Sequence, residues 1–282
     1  MPRYALERLH AFEWGREDSS GGAGCRALHV PFEDLCRSSR MHLMESASVE
    51  QHTCVRVDPG EMRRQRRILI VAPTRHEFSV VRAALADLSD DGVELASCGV
   101  GPVATTAFCR RLDCRPPVPR TLVLLGYAGG LDPGLVPGDL VLADAVLNAR
   151  GERVTCTPLN IPAVRVGPLL SVAEPLRTPG EKRAAAHSGA IAVEMEAYPL
   201  GVWARTRGLP FVHARVVLDA ADEPLPDLGD ALGVAGEVDW RRLAQAVLIR
   251  PGLVAPLLQL ARRARDVRPA LAELARAVVR TS

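Results

Sequence analysis

The sequence predicts an α/β fold, a largely parallel or mixed sheet wrapped by helices in one domain. Three observations carry this expectation. Short apolar runs of strand length alternate with segments whose apolar residues recur every three or four positions. Gly-rich turns, Gly99-Val100-Gly101 and Gly126-Tyr127-Ala128-Gly129-Gly130, directly follow two of those runs. Two further runs close on acids, one at Glu194-Met195-Glu196 and one at Asp219 and Asp222. Open α/β sheets bind ligands beyond the carboxyl ends of their strands, so the stretch from Gly189 to Asp222 reads as a site.

Residues 1 to about 66 show no period. They mix Gly-Gly and Ser-Ser pairs with four histidines and three cysteines, lead into the cluster Arg63, Arg64, Arg66 and Arg67, and read as a loosely ordered N-terminal extension. The catalytic unit is expected over 67–222. ILIVAP (68–73) is a buried strand, and Thr74 can cap a helix over 75–88 with Phe78, Val81, Leu85 and Leu88 on one face. Asp90-Asp91-Gly92 turns the chain into a strand from Val93 to Cys98. A helix then runs to about Leu112, with Pro102 tolerated in its first turn. A Pro-rich loop (116–119) leads to the strand TLVLLG (121–126), and Gly138-Asp139 opens another from Leu140 to Val146. From Asn148 to Val166 the pattern weakens. GPLLSVAEPL (167–176) holds one more strand, and Thr178-Pro179-Gly180-Glu181 starts a helix reaching about His187. A helix-length segment then separates the two acidic stretches, and Phe211 to Leu218 is the last strand.

Residues 223–282 form a Pro- and Gly-punctuated loop and then two or three amphipathic helices from Trp240 to Val279, broken at Arg250-Pro251-Gly252 and near Pro269. From 240 onward nine arginines face only Asp266 and Glu273. Such a tail either packs on the domain with its charges solvated or lies on an anionic membrane surface.

Composition narrows the function classes. A hydrophobic fraction of 48% over 282 residues is ample for a core, and a net charge of +2 gives no electrostatic footprint for nucleic acid. Aromatic residues are too scarce for a base-stacking platform. The seven cysteines are scattered, none forms a C-x-x-C pair, and Cys109 and Cys114 lack partners at zinc spacing. They read as reduced thiols of a cytoplasmic protein without a metal. No run approaches the ~18 apolar residues of a membrane span. Lys182 is the only lysine.

The chemistry-bearing residues follow from the strand ends. Gly99 and Gly101 place backbone N–H groups where they could meet a ligand oxygen, although the turn is neither a dinucleotide fingerprint nor a Walker loop. Gly129 lies in a turn that lets backbone approach a ligand closely. Glu77 sits just beyond the first strand. Glu194 and Glu196 alternate on one strand end, and Asp219 terminates another. Several carboxylates suit a reaction in which a glycosidic bond breaks as positive charge builds on the sugar.

GVGPVATTA (99–107), GYAGGLDPGLVPGDLVLAD (126–144), AVEMEAYPLGVWARTRGLPFVHARVVLDAAD (192–222) and the early Glu77 together resemble the nucleoside phosphorylase/nucleosidase superfamily, most closely its methylthioadenosine/S-adenosylhomocysteine nucleosidase type. The tail resembles the hopanoid-associated phosphorylase branch more loosely. The resemblance implies a three-layer α/β/α fold with a mixed, barrel-like sheet and hydrolysis of the N-glycosidic bond of a purine nucleoside, a 5′-substituted adenosine foremost. It also implies a homo-oligomer with a small-molecule nucleoside as partner and no cofactor, phosphate entering as co-substrate only in a phosphorylase. Carried over by position, Asp219 would activate the leaving base at N7, and Glu77 would activate water. Glu196 would bind the ribose hydroxyls, with Met195 against the sugar and Glu194 in support. Tyr127 departs from the small Ser or Thr usual before Ala-Gly-Gly and could reshape the pocket. Arginines for phosphate are not evident; Arg215 lies inside a strand and reads as structural. Hydrolysis therefore leads, with phosphorolysis, an adenosylhopane-type substrate, and a silent nucleoside-binding protein as alternatives.

Overall fold

Strand β1 (Ile68–Ala72) is buried along its whole length because it has two cores to fill. Ile68 and Ile70 face one hydrophobic cluster, while Leu69 and Val71 face the other. A strand covered on both faces needs a continuous apolar run rather than alternation. This computed structural model describes residues 68–88, 92–114, 119–227 and 240–281. The expected N-terminal extension, Asp90, Asp91, and residues 116–118 lie outside them.

Thr74 and Glu77 form a reciprocal capping box that starts α1 (Arg75–Ala84). The helix ends earlier than its apolar spacing suggests, and a 3₁₀ turn, Ala86–Leu88, takes its last residues. β2 (Val93–Ser97) pairs with β1 in parallel, and α2 (Gly101–Asp113) carries Pro102 in its first turn. β3 (Thr121–Gly130) runs on through the Gly-rich segment that the sequence reads as a turn. That extension makes it the hub of the sheet. Its first half pairs in parallel with β1, its last two residues pair antiparallel with β7 (Ala192–Glu194), and β8 (Phe211–Asp219) runs parallel along its other edge.

β4 (Leu140–Leu147) carries β8 and β5 (Arg153–Thr155) antiparallel and β6 (Val164–Ser171) parallel. β6 in turn pairs with β7. The ring β3-β7-β6-β4-β8 thus closes on itself, with β1 and β2 extending from it. β5 is not anticipated because only its central residue is buried, and three residues carry no period. β6 starts at Val164, earlier than expected, since Val164 and Arg165 form an open, partly exposed end.

Helices cover both faces. On one, Phe108 of α2 and Leu200, Trp203 and Ala204 of α4 (Ala197–Thr206) pack against Leu69, Leu122 and Leu124. On the other, Val80 and Val81 of α1 meet Ile70, Val123 and Leu125 together with the chain's last helix. α3 (Pro179–Ala186), capped by Thr178, flanks a third cluster beneath Leu170 and Val193. The result is a three-layer α/β/α fold with a mixed central sheet and a C-terminal helical tail.

The tail is not uniform. α5 (Trp240–Ile249) and α6 (Val254–Asp266) leave Leu248, Ile249 and Leu258 exposed. α7 (Arg268–Thr281) instead buries Leu271, Leu274, Ala275, Val278 and Val279, the i, i+3, i+4 face of a core helix. Among the described residues, no helix is long and apolar enough to cross a membrane. Leu274→Ala is expected to cost about 3 kcal/mol by opening a cavity, read by urea denaturation. A loss within a few tenths of wild type would place α7 outside the core.

Candidate active site

Arg215 sits in the middle of β8 with 1% of its surface exposed. A strand that faces two cores offers no water to a charge, and a buried guanidinium is tolerable only when paired. Three glutamates surround it. Nη2 donates to Glu194 Oε2 at 2.7 Å and to Glu196 Oε2 at 3.0 Å. Nη1 donates to the Tyr127 carbonyl at 3.2 Å and lies 4.0 Å from Glu77 Oε1. Burial opposes the charge on Arg215, and the glutamates outweigh it, so its pKa rises.

Each glutamate is also fixed by backbone. Glu77 Oε2 accepts from the Thr74 N–H at 2.8 Å and the Thr74 hydroxyl at 2.6 Å, while Oε1 accepts from the Tyr127 N–H at 2.7 Å. Glu194 Oε2 accepts the N–H groups of Glu196 and Ala197, both at 2.8 Å, at the start of α4, where the helix dipole favours an anion. Glu196 Oε1 accepts from the Gly101 N–H at 3.0 Å. Gly126 is imposed by this cluster: a Cβ there would stand 2.4 Å from Arg215 Nη1 and 2.5 Å from Glu77 Oε1. Gly101 has a φ of +80°, and its Cβ position would lie 3.7 Å from Met195 Cε.

Asp219 ends β8 beside Gly129 of β3, whose Cβ would stand 3.1 Å from Asp219 Oδ2. Its carboxylate forms an ion pair with Lys182 of α3, and both side chains are buried. Burial raises the Asp219 pKa, and Lys182 pulls it back.

The expected residues therefore converge on the carboxyl-terminal half of β3, though not on one contact set. Glu77, Glu194, Glu196 and Gly101 meet around Arg215, Met195 lies against Gly101, and Gly129 abuts Asp219 at the far side. Gly99 has a φ of +81°, as a left-handed turn requires. Tyr127 joins through its backbone. Its ring packs into the core shared by α1 and α7, 6.2 Å from the His76 ring.

Sequence reasoning missed the roles of Arg215 and Lys182. The signals were there: an arginine inside an apolar strand, and a lone lysine in a chain that otherwise uses arginine. Among the described residues, no group of His, Cys, Asp or Glu side chains could hold a metal ion.

Burial raises the Glu196 carboxyl from its ordinary 4.5 to about 7, against the pull of Arg215 and with a further push from Glu194. Between those values the folded chain keeps a proton that the unfolded chain has released, so stability falls as pH rises through that window. Melting temperatures of the wild type should show this fall, and Glu196→Gln should flatten it. An unchanged slope in the variant would assign the proton elsewhere.

A sequence model of the phosphorylase superfamily matches residues 52–161 and 154–246. The 5′-methylthioadenosine/S-adenosylhomocysteine nucleosidases of Mycobacterium bovis and Mycobacterium tuberculosis are each 37% identical to it over 93 residues, 32% of this chain and 34% of theirs. The chain thus matches about a third of the length of these curated relatives. Among solved structures, a Helicobacter pylori 5′-methylthioadenosine/S-adenosylhomocysteine nucleosidase aligns with TM-score 0.56 at 14% identity, covering 76% of this chain and 98% of that one. Futalosine hydrolase of the same organism gives 0.57 at 14%, covering 76% and 97%. The Neisseria meningitidis nucleosidase gives 0.55 at 18%, covering 75% and 97%. At such identities the likeness is one of fold.

Proposed function

The chain belongs to the phosphorylase superfamily, and on that premise we propose that it is a nucleosidase hydrolysing the N-glycosidic bond of a purine nucleoside, with a 5′-substituted adenosine as the leading substrate. The observation that carries this reading is the pairing of two charge centres across the end of β3. One is the three-glutamate cluster on Arg215, and the other is Asp219 on Lys182. The likeness to two mycobacterial 5′-methylthioadenosine/S-adenosylhomocysteine nucleosidases supports it.

In this reading Asp219 first takes up a proton from solvent, which its burial favours. The C1′–N9 bond then breaks with its electron pair going to the purine, and that proton passes from Asp219 to N7. Positive charge grows on the ribose, facing a cluster in which three carboxyl groups share one guanidinium. Glu196 holds the 2′- and 3′-hydroxyls, and Met195 packs on the sugar. Glu77 takes the proton of the attacking water through Oε1, since Oε2 already accepts two hydrogen bonds from Thr74. The guanidinium that a phosphate would need is committed to Glu194, Glu196 and the Tyr127 carbonyl, and Arg75 is exposed, which favours water over phosphate.

Association of copies is part of the proposal; exposed Val103, Val136 and Val166 offer apolar surface for it. A second reading gives the substrate a lipid-linked 5′ group, as in an adenosylhopane-type nucleosidase. Exposed Leu248, Ile249 and Leu258 beside Arg250 and Arg262 favour it.

Incubation with 5′-methylthioadenosine should release adenine and free 5-methylthioribose without phosphate. Asp219→Asn and Glu77→Gln should each cost about 100-fold or more in turnover. Adenine release that depends strictly on phosphate would replace hydrolysis by phosphorolysis. For the lipid-linked reading, wild type should sediment with anionic vesicles and Leu248→Glu with Ile249→Glu should not; equal sedimentation removes that reading.

A further inference from the structure

We infer that Lys182 is the positioning residue for Asp219, and that Arg263 of α6 completes the seat in which the pair works. The inference rests on the nucleosidase reading above.

Lys182 is 0% exposed, in a place where an ammonium is tolerable only with all its protons bonded. It has three N–H donors and three acceptors. One is Asp219 Oδ2; the others are the Ala220 carbonyl at 2.6 Å and the Glu223 carbonyl at 2.8 Å. Two of the three therefore belong to the turn that leaves Asp219. The lysine grips the carboxylate and the backbone that carries it.

The turn is closed from the other side by Glu223. Its Oε2 accepts from the Ala220 N–H at 3.0 Å, and its backbone N–H bonds the Ala220 carbonyl at 3.2 Å. Its Oε1 pairs with Arg263. Side chains from α3 and α6 thus hold one four-residue turn, and Gly129 walls the carboxylate on the sheet side.

With Oδ2 held by the ammonium, the proton that Asp219 takes up from solvent is carried on Oδ1 and departs from there to the leaving purine. The electron pair of that O–H bond stays on the carboxylate, whose new charge faces Lys182. The lysine neither gains nor loses a proton; it fixes which oxygen works and stabilises the anion left behind. A buried ion pair kept only for the fold would make no such distinction.

The test compares two leaving groups in the full chain. One substrate is the 5′-substituted adenosine that the wild type cleaves. The other is a 4-nitrophenyl riboside with the same 5′ group, whose phenolate leaves without a proton. Lys182→Met should lose roughly 30-fold or more in kcat/KM on the nucleoside and less than about 3-fold on the aryl riboside. Equal losses on both, or none on the nucleoside, overturn the inference. If Lys182→Met does not fold, Arg263→Gln decides. Arg263 is 19% exposed, and its loss should be one-sided in the same sense, roughly 3- to 10-fold on the nucleoside alone. A wild type that releases no base from any nucleoside defeats the functional reading first and the inference with it. An active wild type with even-handed variants defeats the inference alone.

Discussion

The guanidinium of Arg215 is the constraint from which the rest of the site follows. A single cation without water draws carboxylates from α1, from the end of β7 and from the start of α4, and each must arrive within reach of two nitrogens. Satisfying it fixes Gly126, which leaves the space, and the Tyr127 carbonyl, which takes a further donor. It also draws together helices from opposite faces of the sheet, since α1 and α4 lie in different layers.

The two charge centres differ in balance. Asp219 and Lys182 are matched one to one, whereas Arg215 stands against three carboxyl groups. Three negative charges beside one positive charge do not all persist in a buried place, and Glu196 yields by holding its proton. An unmatched negative cluster is also the setting in which a sugar cation is best tolerated, so the electrostatic cost in the resting state and the proposed benefit during reaction share one origin.

Much of this was legible in the chain. Strand-length apolar runs, the Thr74 cap and the helix after Gly99-Val100-Gly101 declared themselves because burial on both sheet faces and capping are local matters. The acids at 194 and 219 could be placed at strand ends for the same reason, whereas Glu196, read as the continuation of that strand end, is instead the N-cap of α4. What stayed hidden depends on distant partners. Nothing near Arg215 in sequence says that Glu77 waits beside it, and Lys182 precedes Asp219 by a full helix and two strands. β3 was read as ending at Gly126 because glycines signal a turn, yet pairing with β7 and β8 holds its glycine-rich end extended. The tail read as one basic unit because its arginines mask a difference that only packing on α1 reveals.

The closed ring of strands also has a kinetic meaning. β3 cannot complete its outer edge until β8 exists, and β4 through α4 lie between them in the chain. Pairings this distant are slow to find, because the intervening chain must surrender its freedom before the contact rewards it. The same late event brings Arg215 to Glu77 and sets Asp219 beside Gly129. Until β8 joins β3, the carboxylates on α1, β7 and β8 have no common frame. The pairing that closes the ring is also the one that assembles both charge centres.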